Sequence, residues 1–251
     1  MKPFVRWLGL LAVAAVALQL FFVLRIATMA LLDPQSTAFQ RSEAWRVRLE
    51  KGRLPWRQQW RPYEQISDKL KQAVIASEDD GFSRHDGVDW DALEKAWQKN
   101  ARAEAQVAKT QAGKKAGAAK ANGKPVRSPK VVGGSTITQQ LAKNLFLTGE
   151  RTLLRKGQEL VLTLALEALL SKQRILEIYL NSVEWGEGVF GAEAAAQHYF
   201  HKSASELNAL EAARLAVMLP RPKYFEKLPN SSYLAERAGV IANRLAGAEL
   251  P

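Results

Sequence analysis

The chain of 251 residues has no cysteine. Disulfides, Cys-ligated zinc, iron–sulfur clusters and thiol nucleophiles are therefore all excluded. Histidine is nearly as scarce. His85, His198 and His201 are too few for a His-rich metal cage, so chemistry falls to oxygen and nitrogen groups, carboxylates first. Acidic charge is in deficit, with 25 Asp and Glu against 36 Lys and Arg and a formal net charge of +11. Apolar residues make up 47% of the chain, which excludes wholesale disorder and allows one sizeable core or two.

The basic excess is concentrated between Lys99 and Lys130, where nine basic residues and a single acid, Glu104, contribute +8 of the total. This stretch is rich in Ala, Lys, Gly and Gln and nearly devoid of large apolar groups. It cannot repay its ordering entropy, so residues 100–130 read as a mobile insertion. Its charge leaves three readings open: contact with nucleic acid, contact with an anionic membrane surface, or a solvated linker.

The amino-terminal segment narrows that choice. Trp7 to Leu24 read WLGLLAVAAVALQLFFVL without a charge, and apolar character resumes from Ile26 to Leu32. About 20 such residues span a bilayer as a helix, with Arg25 snorkelling at one end. Lys2, Arg6 and the terminal amine precede the span, so the positive-inside rule puts the amino terminus in the cytoplasm and everything after residue 33 outside. A cleaved signal peptide is the competing reading. Thr28-Met29-Ala30 is a poor small-x-small site and the run exceeds a usual signal core, which favours an uncleaved anchor. The expected division is residues 1–38 as cytoplasmic terminus and anchor, and residues 39–251 as an extracytoplasmic body. Nucleic acid drops out as a partner.

Beyond residue 64 the pattern is helix after helix, so the body is expected to be mainly α. Ser67 can cap a helix with Leu70, Ala73 and Val74 on one face, and Asp89 another carrying Trp90, Leu93 and Trp97. Thr136 and Gln139 form a capping box before Ile137, Leu141 and Leu145. Residues 152–180, leucine-rich almost all round, read as two buried helices meeting near Ser171. Ser203 and Glu206 form a second box before a helix that Pro220 ends.

Glu78 continues the inward face that starts at Leu70 and falls at the carboxyl end of its helix, followed by Asp79 and Asp80. Partial burial and like charge both raise a carboxyl pKa, which suits a general base. A polar turn whose acids cap the next element is the plainer alternative. For Glu159, an i, i+4 salt bridge to Arg155 is the simplest account. Its stripe continues into Leu162, Leu166 and Leu170, however, placing a carboxylate at the edge of a dry core, where it needs a strong partner or a role.

Between these acids, GGSTITQQLAKN (133–144) offers two glycines and a capped helix start, a ready anion site with free backbone N–H groups. Lys143, Arg151, Arg155 and Lys156 follow, enough cations to hold a diphosphate without a metal cage. Helix capping alone explains Ser135 and Thr136 equally well. Gly186-x-Gly188-x-x-Gly191 matches a dinucleotide fingerprint but follows a helical pattern rather than a parallel strand, so a Rossmann site is rejected. His198-x-x-His201 lacks the Glu of a zincin helix and reads as structural.

EDDGFSRHDG (78–87), GGSTITQQLAKN (133–144), RKGQE (155–159) and KQRILEIYLN (172–181) resemble, in order, the motifs of the peptidoglycan glycosyltransferase family, glycosyltransferase family 51. ARLAVMLPRP (213–222) resembles its last, weaker one. The resemblance covers roughly residues 60–225 and implies a lysozyme-like helical fold with a smaller membrane-apposed lobe. It implies polymerisation of glycan chains from lipid II, by inverting transfer to the acceptor 4-hydroxyl with release of undecaprenyl diphosphate. Carried over, Glu78 would be the general base and Glu159 the second acidic residue, at the donor's diphosphate end. Lys143 and Arg151 would contact the diphosphate, with Gln139, Asn144, Arg155 and Lys156 shaping that site. Asp79, Phe82 and His85 would position substrate.

A magnesium or manganese ion at the diphosphate is compatible with these residues and required by none. Expected partners are lipid II, the growing glycan, an anionic lipid surface and other wall-synthesis proteins. The expected location is the bacterial inner membrane, spanned once, with a periplasmic catalytic domain. The long cationic insertion departs from the shorter, more apolar link usual in the family. S-x-x-K and K-T-G are absent, so no transpeptidase is expected. The rivals are a glycan-cleaving hydrolase, in which Glu78 would act as an acid, and a non-catalytic wall-protein scaffold.

Overall fold

A computed structural model describes residues 2–53, 56–116, 134–147 and 152–251. It divides into two compact units, Met1–Gly87 with Thr136–Pro251 and, separately, Val88–Ser135. Eleven α-helices occur among the described residues: α1 (Lys2–Thr28), α2 (Ala38–Lys51), α3 (Asp68–Glu78), α4 (Trp90–Ala116), α5 (Ile137–Phe146), α6 (Leu153–Leu169), α7 (Lys172–Ser182), α8 (Ala192–Phe200), α9 (Ala209–Met218), α10 (Pro222–Glu226) and α11 (Ser232–Ala242). A short antiparallel hairpin, β1 (Glu184–Gly186) and β2 (Val189–Phe190), lies between α7 and α8.

The larger unit buries α3 against α9 and α9 against α11, while α5 packs on α6, α7 and α2. Leu70, Ala73 and Val74 are buried on α3, and Ile137, Leu141 and Leu145 on α5, the faces that helical periodicity predicts. The expected box at Thr136 is formed, with Thr136 Oγ1 accepting the Gln139 N–H and Gln139 Oε1 accepting the Thr136 N–H, both at 3.2 Å. Ser171 is the cap between α6 and α7, its hydroxyl accepting the Arg174 N–H at 3.2 Å.

Several expectations are corrected. Ser67 stands at the start of α3, but its hydroxyl donates to the Leu207 carbonyl at 3.0 Å instead of capping the helix. Glu206 does take the Ser203 N–H, yet only a 3-10 turn follows, and α9 begins later under its own cap, Asn208. Helix α6 is not buried all round: Glu159, Leu162, Thr163 and Leu166 face inward, whereas Leu153, Leu154, Val161 and Leu164 are exposed. The segment expected to be mobile from residue 100 is helical as far as Ala116, because Ala, Lys, Gln and Glu are strong helix formers. Its remainder, residues 117–130, lies outside the described residues.

Helix α1 contains a 26-residue segment, Pro3–Thr28, long and apolar enough to cross a membrane. Its end belongs to the packed unit. Ile26 and Met29 are core residues, and Arg174 Nε donates to the Met29 carbonyl at 2.7 Å, so packing starts well before residue 39.

In the smaller unit Asp89 caps α4 by accepting the Ala92 N–H at 2.8 Å, while Trp90 and Trp97 are exposed. Gly134 sits so close to α4 that a Cβ would come within 3.2 Å of Leu93 Cα.

The extended segment before α3 runs beside the hairpin. The Arg57 N–H donates to the Gly188 carbonyl at 2.8 Å, and the Phe190 N–H donates to the Arg57 carbonyl at 2.9 Å. Further along, Asn181 on α7 takes the Arg61 N–H on Oδ1 and gives Nδ2–H to the Arg61 carbonyl, both at 2.8 Å. The glycine fingerprint thus lies on an antiparallel hairpin after a helix, not on a Rossmann turn.

Candidate active site

Glu78 is the last residue of α3, half-buried, at the negative end of the helix dipole. Burial pushes its pKa up, and the neighbouring Asp79 pushes the same way, while a hydrogen bond from Gln140 and the charge of Lys143 oppose them. The net direction is upward, as expected for a base able to take a proton from an alcohol.

Gln140 is the residue that touches it. Gln140 Nε2 donates to Glu78 Oε2 at 2.9 Å, and Gln140 Oε1 accepts the Tyr179 hydroxyl at 3.0 Å. Tyr179 is buried, and desolvation followed by the charges of Glu78 and Asp79 holds its phenol well above the usual pKa. It therefore stays a donor, fixing the Gln140 amide with its NH2 group toward the carboxylate.

Asp79 faces inward. Its Oδ2 accepts the Ile137 N–H at 2.9 Å and its Oδ1 lies 2.8 Å from His85 Nε2. The Gly87 N–H donates to His85 Nδ1 at 3.2 Å, which assigns the imidazole proton to Nε2, facing Asp79. The expected anion site at the start of α5 is therefore already filled by a carboxylate of the chain itself, and the Gln139 N–H is spent on Thr136. Gln139 likewise uses its side chain in the cap, and Phe82 is completely buried. Asp79, Phe82, His85 and Gln139 are thus tied into the frame around Glu78.

The cations gather at the opposite end of α5 instead. Lys143 stands in its last turn, where the dipole favours positive charge. Its side chain is exposed, yet local desolvation and then Arg155 and Lys156 push its pKa down, while Glu159 and Glu78 oppose them. Lys143 thus lies within the electrostatic reach of both acids. Glu159 is 3% exposed and is paired on both oxygens, with Arg155 Nη1 at 2.8 Å and with Lys156 Nζ. The plain i, i+4 pair is present, but it is one arm of a two-cation clamp that leaves a positive excess beside Lys143. Arg155 Nε is buried without a hydrogen-bond partner. Asn144 is half-buried next to Lys143. Arg151 lies outside the described residues, among which no group of three or more His, Asp or Glu forms a metal cluster.

The chain matches the family model described as Transglycosylase over residues 49–113 and 111–246. It belongs to the transglycosylase family. A curated relative from Burkholderia thailandensis is 51% identical over 250 residues, covering 98% of this chain and 88% of that protein. One from Paraburkholderia xenovorans is 49% identical over 251 residues, covering 98% and 95% respectively. A third, from Burkholderia pseudomallei, is 50% identical over 250 residues, covering 98% and 88%. All three are called biosynthetic peptidoglycan transglycosylase.

In this transglycosylase chain, sequence reasoning overlooked Gln140, Tyr179, Glu167 and Lys172. Glu167 Oε1 accepts both the Thr138 hydroxyl at 2.6 Å and Lys172 Nζ at 2.8 Å. Lys172 also lies over the Phe82 ring, 4.6 Å from its centroid. The signal for Gln140 was its place directly after Gln139 in GGSTITQQLAKN (133–144).

Proposed function

We propose that this chain polymerises peptidoglycan glycan strands from lipid II by inverting glycosyl transfer. Glu78 accepts the proton of the acceptor 4-hydroxyl as that oxygen attacks the donor's anomeric carbon. The new C–O bond forms as the bond from that carbon to the diphosphate breaks, and the electron pair leaves with undecaprenyl diphosphate. Lys143, Arg155 and Lys156, joined by Arg151, receive the diphosphate, and Glu159 holds Arg155 and Lys156 in place. A magnesium or manganese ion accompanying the diphosphate is compatible with this arrangement.

The observation carrying this reading is a partly desolvated carboxylate, oriented by Gln140, with Lys143 acting on both it and the Glu159 cluster. Helix α1 then anchors the enzyme once in the bacterial cytoplasmic membrane, with the amino terminus inside and the catalytic body in the periplasm. The basic stretch after residue 99 supplies attraction to anionic lipid headgroups, about 1 kcal/mol per Lys or Arg near the surface.

The test is purified full-length protein in detergent with fluorescent lipid II. Labelled polymer that a muramidase digests is the expected product. No polymer from lipid II, or shortening of finished glycan instead, would overturn the reading.

A further inference from the structure

Gln19 is the one amide in the uncharged run from Trp7 to Leu24. It meets Gln158 in a reciprocal pair: Gln19 Nε2 donates to Gln158 Oε1 at 2.8 Å, and Gln158 Nε2 donates to Gln19 Oε1 at 3.0 Å. A primary amide in an apolar span is costly unless both its donor and its acceptor are met, and this geometry meets both. Gln158 is the residue before Glu159.

The same face of α1 continues onto the end of α5. Phe22 meets Phe146 edge-on with ring centroids 5.3 Å apart, and the Arg25 guanidinium lies 5.5 Å from the Phe146 ring centroid. Phe146 is one turn beyond Lys143. Thus Gln19, Phe22 and Arg25 touch the two helix ends that carry Lys143 on one side and Arg155, Lys156 and Glu159 on the other. Ile26 then enters the core.

We propose that Gln19 and Gln158 are positioning residues for the donor site: the paired amides lock the rotation and height of α6 against α1 and so set where the Glu159 clamp stands relative to Lys143. The anchor is then a component of donor binding as well as a tether. This rests on the donor-site reading above. Loss of the pair leaves Glu78 and Gln140 untouched, so its effect falls on use of the lipid-linked donor rather than on the proton transfer.

The experiment uses the full-length chain in lipid nanodiscs, measuring kcat and KM for lipid II together with Tm. The variants are Gln19→Leu, Gln158→Leu, the double Gln19→Leu/Gln158→Leu, and Val13→Leu on the exposed side of α1 as control. Each single variant is expected to raise KM about fivefold or more with kcat changed less than twofold, and the double should be no worse than either single. Val13→Leu should match the wild type. Unchanged KM in both singles, with only Tm lowered, would overturn the proposal, as would strictly multiplicative effects in the double. Lys143→Ala separates the two levels: if it leaves donor KM unchanged, the donor-site reading itself fails. If it raises KM while the glutamine variants do not, only the positioning role falls.

Discussion

Asp79 Oδ2 accepts the backbone N–H of Ile137 at 2.9 Å, closing the amino terminus of α5 with a carboxylate delivered by the residue next to Glu78. The turn that carries Glu78 and the start of α5 are therefore one construction. Replacing Asp79 with Ala leaves the Ile137 amide and the His85 Nε2–H without their partner. Hydrogen bonds to charged groups contribute about 1.5–3 kcal/mol each, so a total loss of about 3–6 kcal/mol is expected, read as a lowered Tm in detergent. An unchanged Tm would show that the junction carries little of the stability.

Glu78→Gln keeps the shape and loses the proton acceptor. Polymerisation should fall by about 10²- to 10⁴-fold with helical content unchanged by circular dichroism. Because burial raises the Glu78 pKa and only the ionised form is a base, the wild-type rate should climb as pH rises through a value above the ordinary Glu range. A rate already flat at acidic pH would contradict this.

Gln140→Leu should move that acidic limb further toward alkaline pH. The lost hydrogen bond favoured the carboxylate, so removing it favours the protonated acid. Tyr179→Phe, which frees the Gln140 amide to rotate, should move the limb the same way by less. A pH–rate profile for each variant decides the order.

Lys143→Ala should lower kcat/KM for lipid II by roughly 10- to 100-fold, corresponding to one lost charge-assisted contact of about 1.5–3 kcal/mol. Arg151→Ala should act in the same direction, and the loss should shrink at high ionic strength.

Glu184 offers a stability test away from chemistry. Burial, the largest effect, and Glu43 push its carboxyl up to about 7, with Lys223 opposing them. Its folded pKa exceeds its unfolded value, so its stabilising contribution is complete below the ordinary Glu range and is lost as pH rises toward 7. Glu184→Gln has no proton to lose. Its Tm relative to wild type should increase between pH 5 and pH 8, by an amount equivalent to about 1–3 kcal/mol.

Periodicity and capping chemistry made most of the helical body legible. The Thr136 box and the break at Ser171 appear where the residues demand them, because both depend on neighbours within four positions. What escaped depends on distant partners. Ser67 looks like a cap until Leu207 presents a carbonyl to it, and a string of leucines on α6 cannot announce that most of them are exposed.

The site divides in the same way. The inward placement of Glu78 at its helix end was legible from one helical face, and the Arg155 arm of the Glu159 clamp from i, i+4 spacing. That the Ile137 N–H is already taken escaped, because a free helix start and one filled by Asp79, 58 residues earlier, look identical in sequence. Gln140 escaped because its function lies in bridging two other elements.

Residues 57–61, RQQWR, scan as a solvent-washed loop, yet Arg57 and Arg61 are held at both N–H and C=O by the hairpin and by the Asn181 side chain. An amide proton exchanges with solvent only when its hydrogen bond opens, so the Arg57 and Arg61 amides should exchange at the pace at which the hairpin and the end of α7 come apart. In deuterium uptake this coil would behave as a third strand, with a side chain standing in for its neighbour.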